Sequence, residues 1–305
     1  MNSTLGLHRC TLHFFGHSFA YLSAAKSDIG HLELVFREFV VAPDLSTHPE
    51  CVFLMSEDAS DPYIRGVFDP LWGTKQIYYQ LNNNNAWVKW TLDDTPIPPF
   101  SIPPLAHKFL VLHGCSVWIN GRAIAFCGAS FAGKSSLLLE VIHQGGHAIS
   151  DDLVLIEFAP EGEPWVWRYP KPVGVRMPTL SLLPWLPEKF HSIPDNCKLS
   201  FPSQEGRPAT TITHLSDIFW REVFVDAQKQ KLDAIYFLDR DFSGVRPLTA
   251  AQGLACLLSN TCNSGFSRIE MANLSAHLVD QVRVQELGNR DVPAAARFLL
   301  SDSDI

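Results

Sequence analysis

A chain of 305 residues is long enough for one large domain or two modest ones with a sizeable hydrophobic core. Apolar residues at 46% and charged residues at 18% describe a globular protein and exclude a disordered one. A formal charge of −8 excludes the basic surface that nonspecific binding to nucleic acid or to anionic membranes requires.

The seven cysteines are odd in number and form no CxxC pair, so neither a disulfide framework nor a zinc site is expected. There is no basic-then-apolar leader and no stretch near the ~18 apolar residues of a membrane span. The chain therefore reads as cytoplasmic, with no nucleic-acid and no membrane partner.

In chain order, Thr11–Leu22 is aromatic and β-like. Asp28 is placed to cap a helix in which Ile29, Leu32, Val35, Phe36 and Phe39 recur at helical spacing. Cys51–Met55 is a short apolar strand. Ile77–Leu81 and Trp87–Thr91 flank Asn82–Asn85, whose asparagines suit the positive φ of a hairpin turn. Residues 1–95 thus read as a small N-terminal α+β domain of unknown role. Pro96–Pro104 carries a run of prolines, which fix φ and remove amide donors, so residues 96–105 read as an extended Pro-rich linker.

Past the linker, residues 106–305 read as the catalytic domain. Ser116–Ile119 and Arg122–Cys127 flank Asn120-Gly121, a strong hairpin signal. The second of these strands runs into Gly128-Ala129-Ser130-Phe131-Ala132-Gly133-Lys134-Ser135. A helix comes next over Ser135–His143, with Leu137, Leu138, Val141 and Ile142 on one face and Gly145-Gly146 as its stop. Strands are expected at His147–Ile149, Leu153–Phe158, Trp165–Tyr169 and Leu232–Leu238. Pro170–Pro208 reads as irregular, Ala250–Leu258 as a helix, and 275–300 as an interrupted C-terminal helix.

The octapeptide fits G-x-x-x-x-G-K-[ST], a pattern with a defined chemistry. Glycines let successive amides turn inward, and the next helix aims its positive end at an anion. Gly128 through Ser136 are the candidate nucleotide-binding residues. Lys134 reaches the β- and γ-phosphates and Ser135 holds Mg²⁺. Phe131 departs from the small residues usual in such loops. Asp151 and Asp152 lie 17 and 18 residues beyond Lys134, after a short strand. Phosphoryl transfer needs one carboxylate for the metal and gains from another that accepts a hydroxyl proton. An Asp pair taken alone reads as a solvated turn; taken with the loop it reads as functional. Arg168, Lys171 and Arg176 form a local basic cluster that either neutralises transferring charge or is simply solvated. His113, taken alone, reads as a satisfied core histidine.

The run from His113 to Ser136, followed by Gly146-His-Ala-Ile-Ser-Asp-Asp-Leu-Val154, resembles the catalytic domain of HPr kinase/phosphorylase and its related kinases. The parts occur in that family's order: a His-Gly pair, a hairpin, the GKS loop, one helix and a paired Asp. The spacing of 21 residues from His113 to Lys134 agrees as well. The resemblance covers residues 107–157 well, 158–260 loosely, and the N-terminal part not at all.

The resemblance implies an α/β fold, a P-loop kinase domain of the HPr kinase type with a mixed β-sheet and flanking helices. It implies Asp152 as general base toward a seryl hydroxyl, Asp151 with Ser135 at the metal, and His113 beside the phosphates. ATP and Mg²⁺ are the implied cofactors, a protein or peptide the implied substrate, and self-association into a homo-oligomer the implied assembly. The family's Glu-Ile-Arg-Gly-Leu-Gly signature is replaced by Tyr169-Pro-Lys-Pro-Val-Gly-Val-Arg176, which has no carboxylate, and this argues against phosphorolysis and against HPr as substrate. The expected activity is an ATP-dependent serine kinase. The alternatives are a small-molecule hydroxyl kinase, or a nucleotide-binding regulatory or assembly protein with little turnover.

Overall fold

The computed structural model describes residues 6–42, 48–56, 76–82, 86–90, 97–203, 208–262 and 264–301. The chain divides into two compact units, Met1–His107 with Asn263–Gly265, and Lys108–Cys262 with Phe266–Ile305.

In the first unit, β1 (His8–Phe14) and β2 (His17–Ser23) form a hairpin, followed by α1 (Lys26–Val35), β3 (Cys51–Ser56), β4 (Gln76–Leu81) and β5 (Val88–Lys89). Among the described residues the sheet order is β1-β2-β3-β4-β5. Of the described strands in this sheet only β2 and β3 pair in parallel, because α1 lies in the connection between them. The hairpin turn expected at Asn82–Asn85 falls largely outside the described residues. Ile29, Leu32 and Val35 are buried, as their spacing on one face of α1 requires. Asp28 is not the cap. Ala25 occupies that position without a side-chain bond, and Asp28 sits buried in the first turn, accepting the Ser23 hydroxyl. A carboxylate there still meets the positive end of the helix.

The proline run is not an extended linker. Its described part, from Ile97 on, is a series of turns belonging to the first unit, with Ile97, Phe100, Ile102 and Leu105 all buried. Between the prolines stand large apolar side chains, and burying each is worth about 1.5–3 kcal/mol, which favours folding back over extension.

The second unit contains β6 (Leu110–Ile119), β7 (Arg122–Cys127), α2 (Lys134–His143), β8 (His147–Ser150), β9 (Leu153–Phe158) and β10 (Pro164–Trp167). It continues with β11 (Val173–Val175), α3 (Met177–Leu182), α4 (Leu186–Ser192), β12 (Lys198–Phe201), β13 (Thr210–Thr213), α5 (Leu215–Phe219) and β14 (Lys229–Asp239). It closes with β15 (Ser243–Pro247), α6 (Ala250–Ser259), α7 (Arg268–Gln281), β16 (Arg283–Asn289) and α8 (Val292–Ser301).

The main sheet is mixed and runs β10-β9-β6-β7-β14-β16-β15, with β8 added on β6. Its hairpin turns at Asn120-Gly121, where φ is 50° and 83°, the two positive values of a type I′ turn. The first half of β14 also pairs β10, so β6, β7, β14, β10 and β9 close into a ring around a core that includes Leu112, Ala125, Ile156 and Ile235. Against the other face of the sheet, α2 and α8 bury Leu137, Leu138, Val141, Ala296 and Leu299.

Two stretches differ from the expected elements. Pro170–Pro208 holds α3, α4 and two strands of a small sheet, β11-β13-β12. Two of its prolines sit in the first turns of α3 and α4, where a missing amide costs nothing. The interrupted helix of 275–300 is α7, then β16, then α8. The strand β16 is a parallel partner of β14, yet its first half is polar and half exposed, so it shows no apolar run.

Strand direction gives the sheet one edge suited to a ligand. β7, β14 and β16 are parallel, and β8 shares their direction because both β7 and β8 are antiparallel to β6. Four strands therefore end at that edge. Leu138 is fully buried in α2 beneath it, so Leu138→Ala is expected to lower unfolding stability by about 2–5 kcal/mol. Urea denaturation of the two proteins compares them directly.

Candidate phosphate-binding site

Residues Ala123–Cys127 of β7 are fully buried, which fixes where the strand stops and Gly128 begins. The chain then curls through Phe131 at φ 68° and Gly133 at φ 93° before α2 starts at Lys134. Gly133 is required here. A Cβ on it would stand 2.5 Å from Asn289 Nδ2, in a backbone region that already disfavours side chains. The loop is braced from outside: Gly128 N–H donates to Asn260 Oδ1 at 3.1 Å, and Asn289 Nδ2 donates to Ala132 O at 2.9 Å.

Lys134 turns back over the loop, its ammonium donating to Gly128 O at 2.8 Å and Ala129 O at 3.1 Å. Ser135 Oγ donates to Asp151 Oδ1 at 3.0 Å. Ser136 is buried, and its hydroxyl meets Thr179 Oγ1 at 3.5 Å. Ala129 and Ser130 lie in the exposed outer bend of the loop, and Phe131 is 55% exposed at its tip. The Arg176 guanidinium lies 5.1 Å from the Phe131 ring centroid, held by a 3.1 Å bond from Nε to Thr210 Oγ1.

The two aspartates come directly after β8, and they face different surroundings. Asp151 is buried, and burial followed by the charge of Asp152 raises its carboxyl to about 6. Asp152 has φ 70°, which turns its side chain elsewhere. It pairs with the Lys171 ammonium, and chiefly that charge lowers its carboxyl to about 2. His113 Nδ1 lies 3.1 Å from Asp152 O and 3.6 Å from Asp152 Oδ1. A carbonyl only accepts, so Nδ1 carries the proton there. Burial, then the Lys134 charge, lowers the His113 pKa and favours the neutral ring.

The residues singled out from the sequence are therefore brought to one edge: the loop from β7, Asp151 and Asp152 from β8, and His113 from β6, where the register sets Gly114 opposite Cys127. The basic cluster is split. Lys171 joins Asp152 and Arg176 joins Phe131, whereas Arg168 lies over the Phe224 ring. Asn260 and Asn289 had no local signal, being single asparagines at the ends of α6 and of a strand that sequence pattern did not reveal.

Among the described residues no group of three or more His, Cys, Asp or Glu is placed to hold a metal ion. The donors present are the Ser135 hydroxyl and the Asp151 carboxylate. These are two hard oxygens, and Mg²⁺ suits them because it takes few protein ligands and completes its shell with water and phosphate. Nor, in the described residues, is any helix long and apolar enough to cross a membrane.

No family model matches the chain, and no curated protein matches it in sequence. Among the solved structures that match is a distantly similar one. It is the HPr(Ser) kinase/phosphatase from Coxiella burnetii, at 13% identity and a TM-score of 0.26, with 43% of this chain covered. The match spans 60% of that protein.

The raised carboxyl of Asp151 has a consequence for stability. Between its unfolded value and about 6 the folded chain binds the extra proton, so this group's contribution falls as pH rises across that window. Asp151→Asn removes the effect. With divalent ions chelated, the variant is expected to gain stability relative to the parent from pH 4 to 7, on the order of a few kcal/mol. Denaturation midpoints along a pH series measure it; a constant difference would contradict the assignment.

Proposed function

We propose that the unit starting at Lys108 is a phosphotransferase that moves the γ-phosphate of a nucleoside triphosphate, ATP in the simplest case, to a hydroxyl group. The observation that carries this reading is the meeting of Ser135 with Asp151, beside a second carboxylate that does not share their partner. A site that only holds a nucleotide needs the first pair; a hydroxyl acceptor also needs the second.

In this reading Lys134 leaves the Gly128 and Ala129 carbonyls for the β- and γ-phosphates, and the loop amides hold the remaining oxygens. Ser135 and Asp151 would hold Mg²⁺, which supplies charge neutralisation to the phosphate oxygens when bound. Asp152 accepts the proton of the attacking hydroxyl. In its pair with Lys171 it is a weak base, so an anionic phosphate that draws Lys171 away also restores its basicity. Neutral His113, donating to the Asp152 carbonyl, fixes the backbone that aims this carboxylate.

The acceptor we favour is a seryl residue of a protein or peptide, as the resemblance to HPr-kinase-related enzymes implies, with transfer in the forward direction only. A nucleotide-responsive regulator with little turnover is the second reading, favoured by the same Lys171–Asp152 pair, which holds the base idle.

Transfer of labelled γ-phosphate into a total extract of the source organism separates the two. Lys134→Ala and Asp152→Asn are each expected to lower labelling by about 10²-fold or more. Unchanged labelling in both variants would falsify the kinase reading, and nucleotide binding with no transfer by the parent supports the regulator.

A further inference from the structure

The sheet edge continues past the phosphate loop on the side away from the aspartates. There β14 and β16 end in register, Asp239 opposite Gly288, and present Arg240 and Asn289 to the loop. A Cβ on Gly133 would lie 3.2 Å from Arg240 Nη2 and 2.5 Å from Asn289 Nδ2, so both side chains touch the loop's outer wall. Asn289 is 1% exposed, and the bond to Ala132 O fixes which end of its amide faces the loop. Its Oδ1 is buried without a donor among the described residues.

The next residues, Arg290 through Pro293, line an open cleft of about 560 Å³ together with Leu182 and Ser243. This size lies in the range of small-ligand sites. Asp291 Oδ1 caps α8 by accepting Ala294 N–H at 2.9 Å, and Arg290, Asp291 and Ser243 are exposed to solvent.

A nucleoside triphosphate laid on Gly128–Ser135 with its γ-phosphate toward Asp152 must send its other end along the same edge, toward β14 and β16. Ligands of parallel sheets lie outside the carboxyl ends of the strands, and this cleft is there. We infer that the cleft between Ser243 and Arg290–Pro293 is the nucleoside subsite of the nucleotide whose phosphates the loop holds. The Arg290 guanidinium stacks on the base, the Asp291 carboxylate accepts N–H groups from its edge, and Arg240 takes the phosphate nearest the ribose. This inference rests on the phosphate-binding reading of the loop.

Titration calorimetry on the full chain with Mg²⁺, using ATP, GTP and inorganic triphosphate as probes, tests it. Ser243→Trp fills the cleft from an exposed position, Arg290→Ala removes the stacking group, and Asp291→Asn keeps the helix cap, since Asn caps as well as Asp. Ser243→Trp and Arg290→Ala are expected to weaken at least one purine nucleotide about tenfold, and Asp291→Asn to change the ATP/GTP ratio, while inorganic triphosphate binds all forms alike. Equal affinities for the purine nucleotides across parent and variants, in a protein where Lys134→Ala abolishes binding of all three probes, would overturn the subsite and leave the loop reading intact. Failure of the parent to bind any probe overturns the loop reading itself, and the subsite with it.

Discussion

The hydrogen bond from Ser135 to Asp151 is the point on which the second unit turns. It ties the first turn of α2 to the end of β8, two elements that meet only because β8 runs in the direction of β7 on the far side of β6. A carboxylate as buried as Asp151 loses most of its hydration, and one hydroxyl and one backbone hydrogen bond are a small return. The raised carboxyl records that deficit, and a divalent cation is the partner that would remove it. In the proposed reading, that cation is the metal that would be shared by Ser135 and Asp151.

Adjacent aspartates are pushed apart in proton affinity by one backbone turn. Asp151 continues into the interior, while Asp152, at positive φ, swings toward Lys171 and His113. Neighbouring carboxyl groups whose surroundings separate them in this way are the usual sign of divided labour in a site. Lys171 is central to that division. It stands between Pro170 and Pro172, which restrict the backbone that delivers its ammonium to Asp152.

Local pattern is enough to read the strand, loop and helix over Arg122–His143, because each carries its own signal: an apolar run, two glycines and a 3.6-residue repeat. The type I′ turn at Asn120-Gly121 is equally plain. Capping at residue 28 misleads because an Asp is favourable at both the cap and the first turn. Prolines mislead twice, at 97–104 and at 170–208, since the residue that ends one element also starts a turn or a helix. The strand β16 escapes detection because its polar first half gives no periodic signal, although its buried end braces the loop.

The sequence by itself determined the glycine loop over Gly128–Ser135 and its two neighbouring elements, the pairing of aspartates at a strand end, and the α/β character of the chain. These rest on local conformational preference, which a few consecutive residues encode. Only the tertiary structure decided that Ser135 faces Asp151, that Lys171 and not Arg168 reaches Asp152, and that Asn260, Arg240 and Asn289 wall the loop. Each of those depends on strand order and direction across the sheet. Both are set by burial of apolar faces summed over the whole unit, and no short segment carries that sum.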